Sequence, residues 1–208
     1  GPHGALWLGT GQGLMRSVSG GAFQTIGAVG EVRALAVDGS GTAWAASRSG
    51  LEACSATACH TVAVPGQALA LAADSSGRMW IGTSSGLLIS GAGSVRAIGG
   101  AAGAVSFLFR DREGMMWAGT APGLMRIAPD GSSSVLPREG DEDLAAAEDR
   151  EGDLWLGTAS SGLAVLRDRK FFTLTAQDGL TQEYVLALAQ APDGYVGVGT
   201  NGGGLNVF

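Results

Sequence analysis

Two cysteines and a histidine stand close together in the sequence, and residues of these types can bind a metal ion or form a disulfide. Cys54 and Cys59 flank four residues, and His60 follows directly. Structural zinc sites almost always have four protein ligands, and this segment offers three. A short hairpin can bring two Cβ atoms within bonding distance, so we expect a structural disulfide between Cys54 and Cys59, with free thiols as the alternative. A disulfide would indicate an oxidising compartment.

Carboxylates are the other groups that could do chemistry. An acidic stretch covers residues 138–143, and Glu183 lies further along the chain. Two carboxylates about 5–9.5 Å apart can hydrolyse a glycosidic bond, so a carbohydrate-active lyase or hydrolase that uses Glu139, Asp141 or Glu183 is one alternative. Apart from His3, the sequence holds a single histidine, His60, which leaves a nucleophile–histidine centre without a second candidate base. We therefore predict a non-catalytic protein.

Composition and the absence of certain motifs disfavour several classes of protein. The chain has 208 residues, 45% of them hydrophobic, and a net charge of −6. Nucleic-acid binding needs a basic surface, so this class is disfavoured. No run of 18 apolar residues predicts a membrane span, and no phosphate-binding or dinucleotide motif predicts a cofactor. The initial Gly-Pro-His resembles a protease-cleavage scar, so residues 1–3 are set apart from a single domain over residues 4–208.

A motif recurs at intervals of 36–42 residues, and it contains a tryptophan in five of its six copies. An aspartate lies six residues before most of these tryptophans, a glycine lies three before, and a Gly-Leu pair follows. Aspartate and glycine at this spacing are typical of tight turns, and a tryptophan in mid-strand is typical of a core. The structural motif residues are Trp7, Trp44, Trp80, Trp117 and Trp155, with Asp38, Asp74, Asp111 and Asp149.

Each period contains four short strand candidates, which predicts an all-β fold, a β-propeller of four-stranded antiparallel blades. About five to six blades are expected. The predicted blade units are 4–26 (partial), 32–64, 68–98, 105–136, 144–174 and 185–208 (partial). The two partial blades favour a fragment of a larger ring or an engineered chain. They also allow self-association through open blade edges.

The pattern Asp-x-x-Gly-x-x-Trp-x-Gly-Thr-x-x-Gly-Leu resembles the two-component regulator propeller repeat. Residues 200–206 and 171–180 also resemble that family's repeat and the stretch between its blades. The resemblance covers nearly the whole chain. It implies an extracytoplasmic sensor domain, periplasmic or extracellular, of the kind carried by membrane-anchored histidine kinases or nucleotide cyclases of bacteria.

A ligand site on such a scaffold is expected on the loops between second and third strands and between successive blades, because these loops differ from copy to copy. Their amide, carboxylate and phenol groups would suit a small molecule such as a saccharide, or a peptide. A protein–protein interaction scaffold and an engineered repeat assembly are the alternatives, and the acidic stretch could also be an ordinary solvated loop. The candidate ligand-binding residues are Arg48, Gln67, Glu139, Asp141, Asp178, Gln182, Glu183, Tyr184 and Asn201.

Overall fold

The computed structural model describes residues 4–27, 30–91, 94–137, 142–167, 170–192 and 194–208. These residues form six antiparallel sheets and one short 3₁₀ helix, Ala176–Asp178. The sheets are the blades of a six-bladed β-propeller, which confirms the predicted fold class. The chain divides into two compact units, Gly1–Val105 and Ser106–Phe208, and each is described by itself. The expectation of a single domain over residues 4–208 stays a prediction.

The first unit holds three sheets, blades 1 to 3, and blade 1 has three strands. The strands of blade 1 are β1 (Ala5–Thr10), β2 (Gly13–Val18) and β3 (Gln24–Ile26). Those of blade 2 are β4 (Val32–Val37), β5 (Ala43–Ser47), β6 (Gly50–Cys54) and β7 (Cys59–Val62). Those of blade 3 are β8 (Ala68–Ala73), β9 (Met79–Thr83), β10 (Gly86–Gly91) and β11 (Ser94–Ala102).

The second unit holds blades 4 to 6, and blade 6 has three strands. The strands of blade 4 are β12 (Val105–Arg110), which begins at the last residue of the first unit, β13 (Met116–Thr120), β14 (Gly123–Ile127) and β15 (Ser133–Pro137). Those of blade 5 are β16 (Asp143–Glu148), β17 (Leu154–Thr158), β18 (Leu163–Arg167) and β19 (Lys170–Leu174). Those of blade 6 are β20 (Val185–Gln190), β21 (Val196–Thr200) and β22 (Gly204–Val207).

Alternate side chains of a strand point to opposite faces of its sheet, so a blade can pack against a neighbour on each face. Blades within each unit stack face to face in this way. We call the face that carries the motif tryptophan the tryptophan face, and the other the reverse face. In blade 1, Trp7 and Leu14 lie on the tryptophan face and share a buried cluster with Ala43 and Ala45 of blade 2. The same arrangement recurs in the second unit between blades 5 and 6. Burial of these faces supplies the core of each unit.

The glycine two positions after the tryptophan is required by this stacking. A Cβ atom built on Gly157 would lie 2.3 Å from Val185 Cγ1 of the next blade, and one on Gly9 would lie 2.5 Å from Val32 Cγ1. Such distances are far inside van der Waals contact. The glycine of the motif therefore serves close blade packing as well as strand patterning.

Cys54 and Cys59 form a disulfide across the β6–β7 hairpin, as predicted. Donor atoms of Glu52, Cys54 and Cys59 lie within 4.8 Å of one another, but the two sulfurs are bonded to each other rather than available as metal ligands. Cys54 is fully buried and belongs to the cluster between blades 1 and 2. The crosslink therefore ties the outer strand of blade 2 to its core.

In the part of the chain that the structure describes, no helix has both the length and the apolar character needed to cross a membrane.

Candidate functional site

The motif aspartates are engaged within their own blades. In each of four blades the tryptophan Nε1–H donates to the carboxylate six residues earlier. These bonds are Trp44 to Asp38 at 2.9 Å, Trp80 to Asp74 at 3.0 Å, Trp117 to Asp111 at 2.8 Å and Trp155 to Asp149 at 2.7 Å. The other carboxylate oxygen accepts from backbone N–H groups of the turn, for example from Ser76 and Arg78 in blade 3. The sequence predicted the turn but not the indole bond. The constant spacing of six residues between aspartate and tryptophan was the signal that could have indicated this bond.

Asp74 shows what these contacts do to a carboxyl group. Burial raises its pKa, but hydrogen bonds from Ser76, Trp80 and Arg78 outweigh burial and lower the pKa from 3.8 to about 2. The pKa of Asp38 is also lowered, because hydrogen bonds from Ser40, Trp44 and the backbone of Thr42 outweigh its burial. The aspartate turns of blades 2 and 3 therefore favour the ionised carboxylate.

The pH dependence of stability should follow from this shift. A group with a lowered pKa in the folded state stabilises the fold above its unfolded pKa, and this stabilisation is lost as the pH falls through the folded pKa. We expect the wild-type protein to lose stability between about pH 4 and pH 2, since the pKa of Asp74 falls from 3.8 to about 2 on folding. Asp74→Asn should be less stable than wild type at pH 7, with the difference narrowing as the pH falls. Urea denaturation at a series of pH values measures this, and a constant difference across the series would contradict it.

Two of the predicted ligand-binding residues lie in the first unit. Arg48 occupies the exposed β5–β6 turn, where its Nε lies 3.4 Å from a carboxylate oxygen of Glu31. Gln67 directly precedes β8, and its backbone N–H donates to Ser84 Oγ at 3.0 Å. Each therefore lies at the end of its blade opposite the aspartate turns. Glu139 and Asp141 were also predicted, and they lie outside the described residues.

The other five lie in the second unit, where the structure brings the β19–β20 connection beside the β21–β22 turn. The backbone N–H of Asn201 donates to the carbonyl of Tyr184 at 2.9 Å, and the backbone N–H of Gly162 donates to the carbonyl of Glu183 at 3.1 Å. Gln182 accepts from the backbone N–H of Tyr184. We call residues 175–184 and 201–203 the loop surface.

Two of these carboxylates are used by the loop itself. Asp178 Oδ2 accepts from the backbone N–H of Thr175 at 2.9 Å and closes a capping box on the 3₁₀ helix. Glu183 Oε1 accepts from the backbone N–H of Ala176 at 3.4 Å. Gln182 and Asn201 are exposed, and Tyr184 is 38% exposed. Gln182 Oε1 already accepts from the Tyr184 backbone N–H, so the Gln182 Nε2 group, the Asn201 amide and the Tyr184 phenol are better placed than the carboxylates to meet a ligand.

Sequence reasoning missed the group that fixes the loop surface. Asn206, buried in β22, accepts from the backbone N–H of Thr181 at 3.0 Å and donates from Nδ2 to Thr181 Oγ1 at 2.9 Å. Thr181 Oγ1 donates in turn to the carbonyl of Gly203 at 2.8 Å. An asparagine inside an apolar strand was the available signal, because a buried amide needs partners.

A cleft that the sequence did not predict lies between blades 2 and 3, at the end that carries the aspartate turns. Its volume is about 610 Å³, and its walls include the half-buried indole of Trp44 with exposed His60 and Arg78. Arg78 Nε lies 2.7 Å from Asp74 Oδ2. The remaining lining residues are Thr61, Val62, Ala63, Ser76, Gly77, Ser90, Gly91, Ser94 and Val95. This end of the blades is the one opposite the loops that were predicted to bind a ligand.

Comparison with solved structures shows the fold. The extracellular domain of the hybrid two component system BT3049 from B. thetaiotaomicron is similar, with a TM-score of 0.82, 22% identity, and coverage of 100% of this chain and 32% of that one. The extracellular domain of the one component system BT4673 from the same organism gives a TM-score of 0.78, 19% identity, and coverage of 98% and 31%. This chain thus spans about a third of each.

An enzyme shares the fold as well. Virginiamycin B lyase from Staphylococcus aureus gives a TM-score of 0.71 at 11% identity, with coverage of 100% of this chain and 81% of the lyase. At such identities the likeness concerns architecture alone, because one fold supports many functions.

Sequence comparison matches a much shorter part of the chain than structural comparison does. The curated proteins include no match to this chain. Residues 65–85, which contain the Asp74–Trp80 pair, match the family described as "Two component regulator propeller". The resemblance that the repeated motif indicated is thereby confirmed, and the chain carries a two component regulator propeller repeat.

Proposed function

We propose that this chain is a non-catalytic sensor domain of a bacterial signalling protein, and that it binds a small molecule, such as a saccharide, or a short peptide on the loop surface. The observation that carries the proposal is a polar loop surface held in place by its own hydrogen bonds. The regulator propeller repeat and the extracellular neighbours support it. The disulfide supports an extracytoplasmic location, since disulfides persist in oxidising compartments.

The chemistry of the loop surface suits a neutral polar ligand. Gln182 and Asn201 offer amide groups, and Tyr184 offers a phenol and an aromatic face. Hydroxyl-rich molecules form hydrogen bonds with such groups and stack on aromatic rings. Because the Thr181–Asn206 contacts already order the loop, less conformational entropy is lost on binding.

Signalling would follow from ligand contact with two segments at once. The backbone bond between Asn201 and Tyr184 joins the β21–β22 turn to the β19–β20 connection. A ligand that contacts both segments would favour one packing of blades 5 and 6 over another, and the change would pass to an output part of a longer protein. A ligand shifts such an equilibrium only by its difference in affinity for the two states.

The experiment is calorimetric titration of the protein with a panel of neutral oligosaccharides and short peptides. Gln182→Ala and Tyr184→Ala should each weaken binding by about tenfold or more, which is the size expected for one lost polar or aromatic contact. Gln190→Ala is the matched control, because Gln190 is an exposed residue at the other end of β20. Absence of binding at millimolar ligand, or equal losses in Gln182→Ala and Gln190→Ala, would contradict the proposal.

The cleft beside Trp44 is a second candidate location for the ligand, and its volume and half-buried indole are the observations that favour it. Indole faces stack on sugar rings, and Arg78 and His60 would add hydrogen-bond donors. Binding that is lost in His60→Ala and retained in Gln182→Ala would place the ligand in this cleft.

The rival functions predict different results. A lyase or hydrolase would turn over its substrate and would lose activity in Glu183→Ala. A protein interaction scaffold would bind a macromolecular partner and none of the small ligands.

A further inference from the structure

Arginine side chains cover the motif tryptophan in two of the blades. The residue directly opposite the tryptophan on the next strand is Arg16 in blade 1 and Arg126 in blade 4. Directly opposite residues of an antiparallel pair lie on the same face of the sheet. The guanidinium carbon of Arg16 lies 5.5 Å from the centroid of the Trp7 ring, and that of Arg126 lies 5.6 Å from the centroid of the Trp117 ring. The repeat therefore places a cation over the indole ring twice.

Blade 2 has an alanine at this position. Ala53 lies opposite Trp44, and its single methyl group cannot reach over the indole ring. Trp7 and Trp117 are each 8% exposed, whereas Trp44 is half-buried and lines the cleft of about 610 Å³. The cleft is thus found in the blade where the covering arginine is replaced by a short side chain.

The other two motif tryptophans have larger apolar side chains opposite them. Ile89 lies opposite Trp80, and these residues are 2% and 6% exposed. Val165 lies opposite Trp155, whose ring centroid is 6.0 Å from that of Phe208. Of the five tryptophans, Trp44 therefore has the smallest side chain opposite it.

The cleft belongs to the interior of one compact unit. Its lining residues all lie within Gly1–Val105, on the tryptophan face of blade 2 and on blade 3. Met79 and Ile81, on the reverse face of blade 3, fill the buried part of the same interface. The space beside Trp44 therefore exists between two blades that are already packed against each other.

The charges around the cleft permit a bound cation. Trp44 Nε1 donates to Asp38 Oδ2 at 2.9 Å, and a hydrogen bond to a carboxylate raises the electron density of the indole ring. The charge of Arg78 is balanced by Asp74, since Arg78 Nε lies 2.7 Å from Asp74 Oδ2. His60 is the other basic residue of the lining, and it is exposed, so water and salt screen it. The chain as a whole carries a net charge of −6, which attracts cations.

The lining also offers acceptors for N–H groups. A guanidinium group has five N–H donors and no acceptor, so it needs oxygen atoms around it. Ser76 Oγ donates to Asp74 at 2.6 Å and Ser94 Oγ donates to the carbonyl of Gly91 at 3.1 Å. Each hydroxyl oxygen that donates its own hydrogen keeps lone pairs with which it can accept.

We propose that the cleft beside Trp44 binds a guanidinium group, the arginine side chain of a peptide, which stacks on the Trp44 indole as Arg16 and Arg126 stack on theirs. Tryptophan is the aromatic side chain that binds cations best. A guanidinium fits better than an ammonium group, because it is planar, stacks on aromatic faces and is more weakly hydrated. The ligand differs in chemistry from the neutral one expected at the loop surface, so this proposal goes beyond the proposed function and is independent of it.

The test is a titration of ¹⁵N-labelled protein with N-acetyl-arginine amide, followed by NMR of the tryptophan indole N–H signals. The Trp44 signal, assigned with the Trp44→Phe variant, should shift and saturate in the millimolar range expected for so small a ligand. The signals of Trp7 and Trp117 are internal controls and should not move, because their rings are already covered. N-acetyl-citrulline amide has nearly the same shape without the charge, and it should bind about fivefold more weakly.

Two variants should change binding in opposite directions. Ala53→Arg supplies the arginine that blades 1 and 4 have, so it should fill the site and remove binding of the free ligand. His60→Glu places a carboxylate at the cleft and should tighten binding about threefold. Arg96→Glu is the control, because Arg96 is exposed on blade 3 but does not line the cleft, and it should bind like wild type. Circular dichroism checks that each variant is folded.

Three results would overturn the proposal: a Trp44 signal that does not move, equal binding of the arginine and citrulline amides, or undiminished binding in a folded Ala53→Arg variant. A neutral hexose that moves the Trp44 signal when the arginine amide does not would also overturn it and would assign the cleft to a neutral ligand. The loop surface is tested separately, through Gln182→Ala, so either proposal can fail without the other.

Discussion

Replacing Leu163 with alanine should lower the free energy of unfolding of the second unit by about 3 kcal/mol, which lies within the range for buried leucines. Leu163 is 0% exposed and lies in a cluster with Val185, Val196 and Val198 of blade 6. Truncation removes apolar contacts and leaves a cavity that the stiff strands on either side cannot close. Urea denaturation followed by circular dichroism measures the loss.

Leu205→Ala is the matched control for this prediction. Leu205 holds the same motif position in blade 6 but is 72% exposed, so its truncation should change stability by less than about 0.5 kcal/mol. Equal losses of stability in the two variants would show that burial against the next blade does not determine how much this leucine contributes to the free energy of unfolding.

The strands could be predicted from the sequence because their signals are local. Each period was predicted to contain four short strands, and blades 2 to 5 each have four. Apolar alternation and the turns at aspartate and glycine repeat in each copy, so a weak signal in one blade is supported by the others. The disulfide was also predictable, since the two cysteines of a short hairpin face each other across the strands.

The cleft could not be predicted in the same way. Trp44 and Trp117 hold the same motif position, yet Trp44 is half-buried beside a cleft and Trp117 is 8% exposed. The difference depends on which side chains the opposite strand and the next blade present, and the second of these is a contact between segments about one repeat apart. The loop surface is intermediate: its residues were named from the sequence, but the hydrogen bonds that fix Thr181 to Asn206 join residues 25 apart.

Replacing Asp149 with alanine should be as damaging as a core truncation, at about 3 kcal/mol, because several hydrogen bonds to a charged group are lost together. The Asp149 carboxylate accepts from Trp155 Nε1 at 2.7 Å and from the backbone N–H groups of Glu151 at 3.0 Å and Asp153 at 2.9 Å. Asp149 is 6% exposed, so water cannot readily replace these bonds. Asp149→Asn keeps one acceptor oxygen and should recover part of the loss.

Asp130→Ala separates the contribution of the Asp–Trp hydrogen bond to stability from the contribution of turn capping. Asp130 also caps a turn, accepting from the backbone N–H and the hydroxyl of Ser132 at 2.8 and 2.7 Å, but it is fully exposed in the β14–β15 hairpin. If the Asp–Trp bond carries the stability, Asp130→Ala should leave the melting temperature almost unchanged while Asp149→Ala lowers it by several degrees. Equal shifts would assign the effect to turn formation. The aspartate six residues before the tryptophan would then recur because the turn needs it. The indole bond would follow from the strand geometry and would contribute little stability of its own.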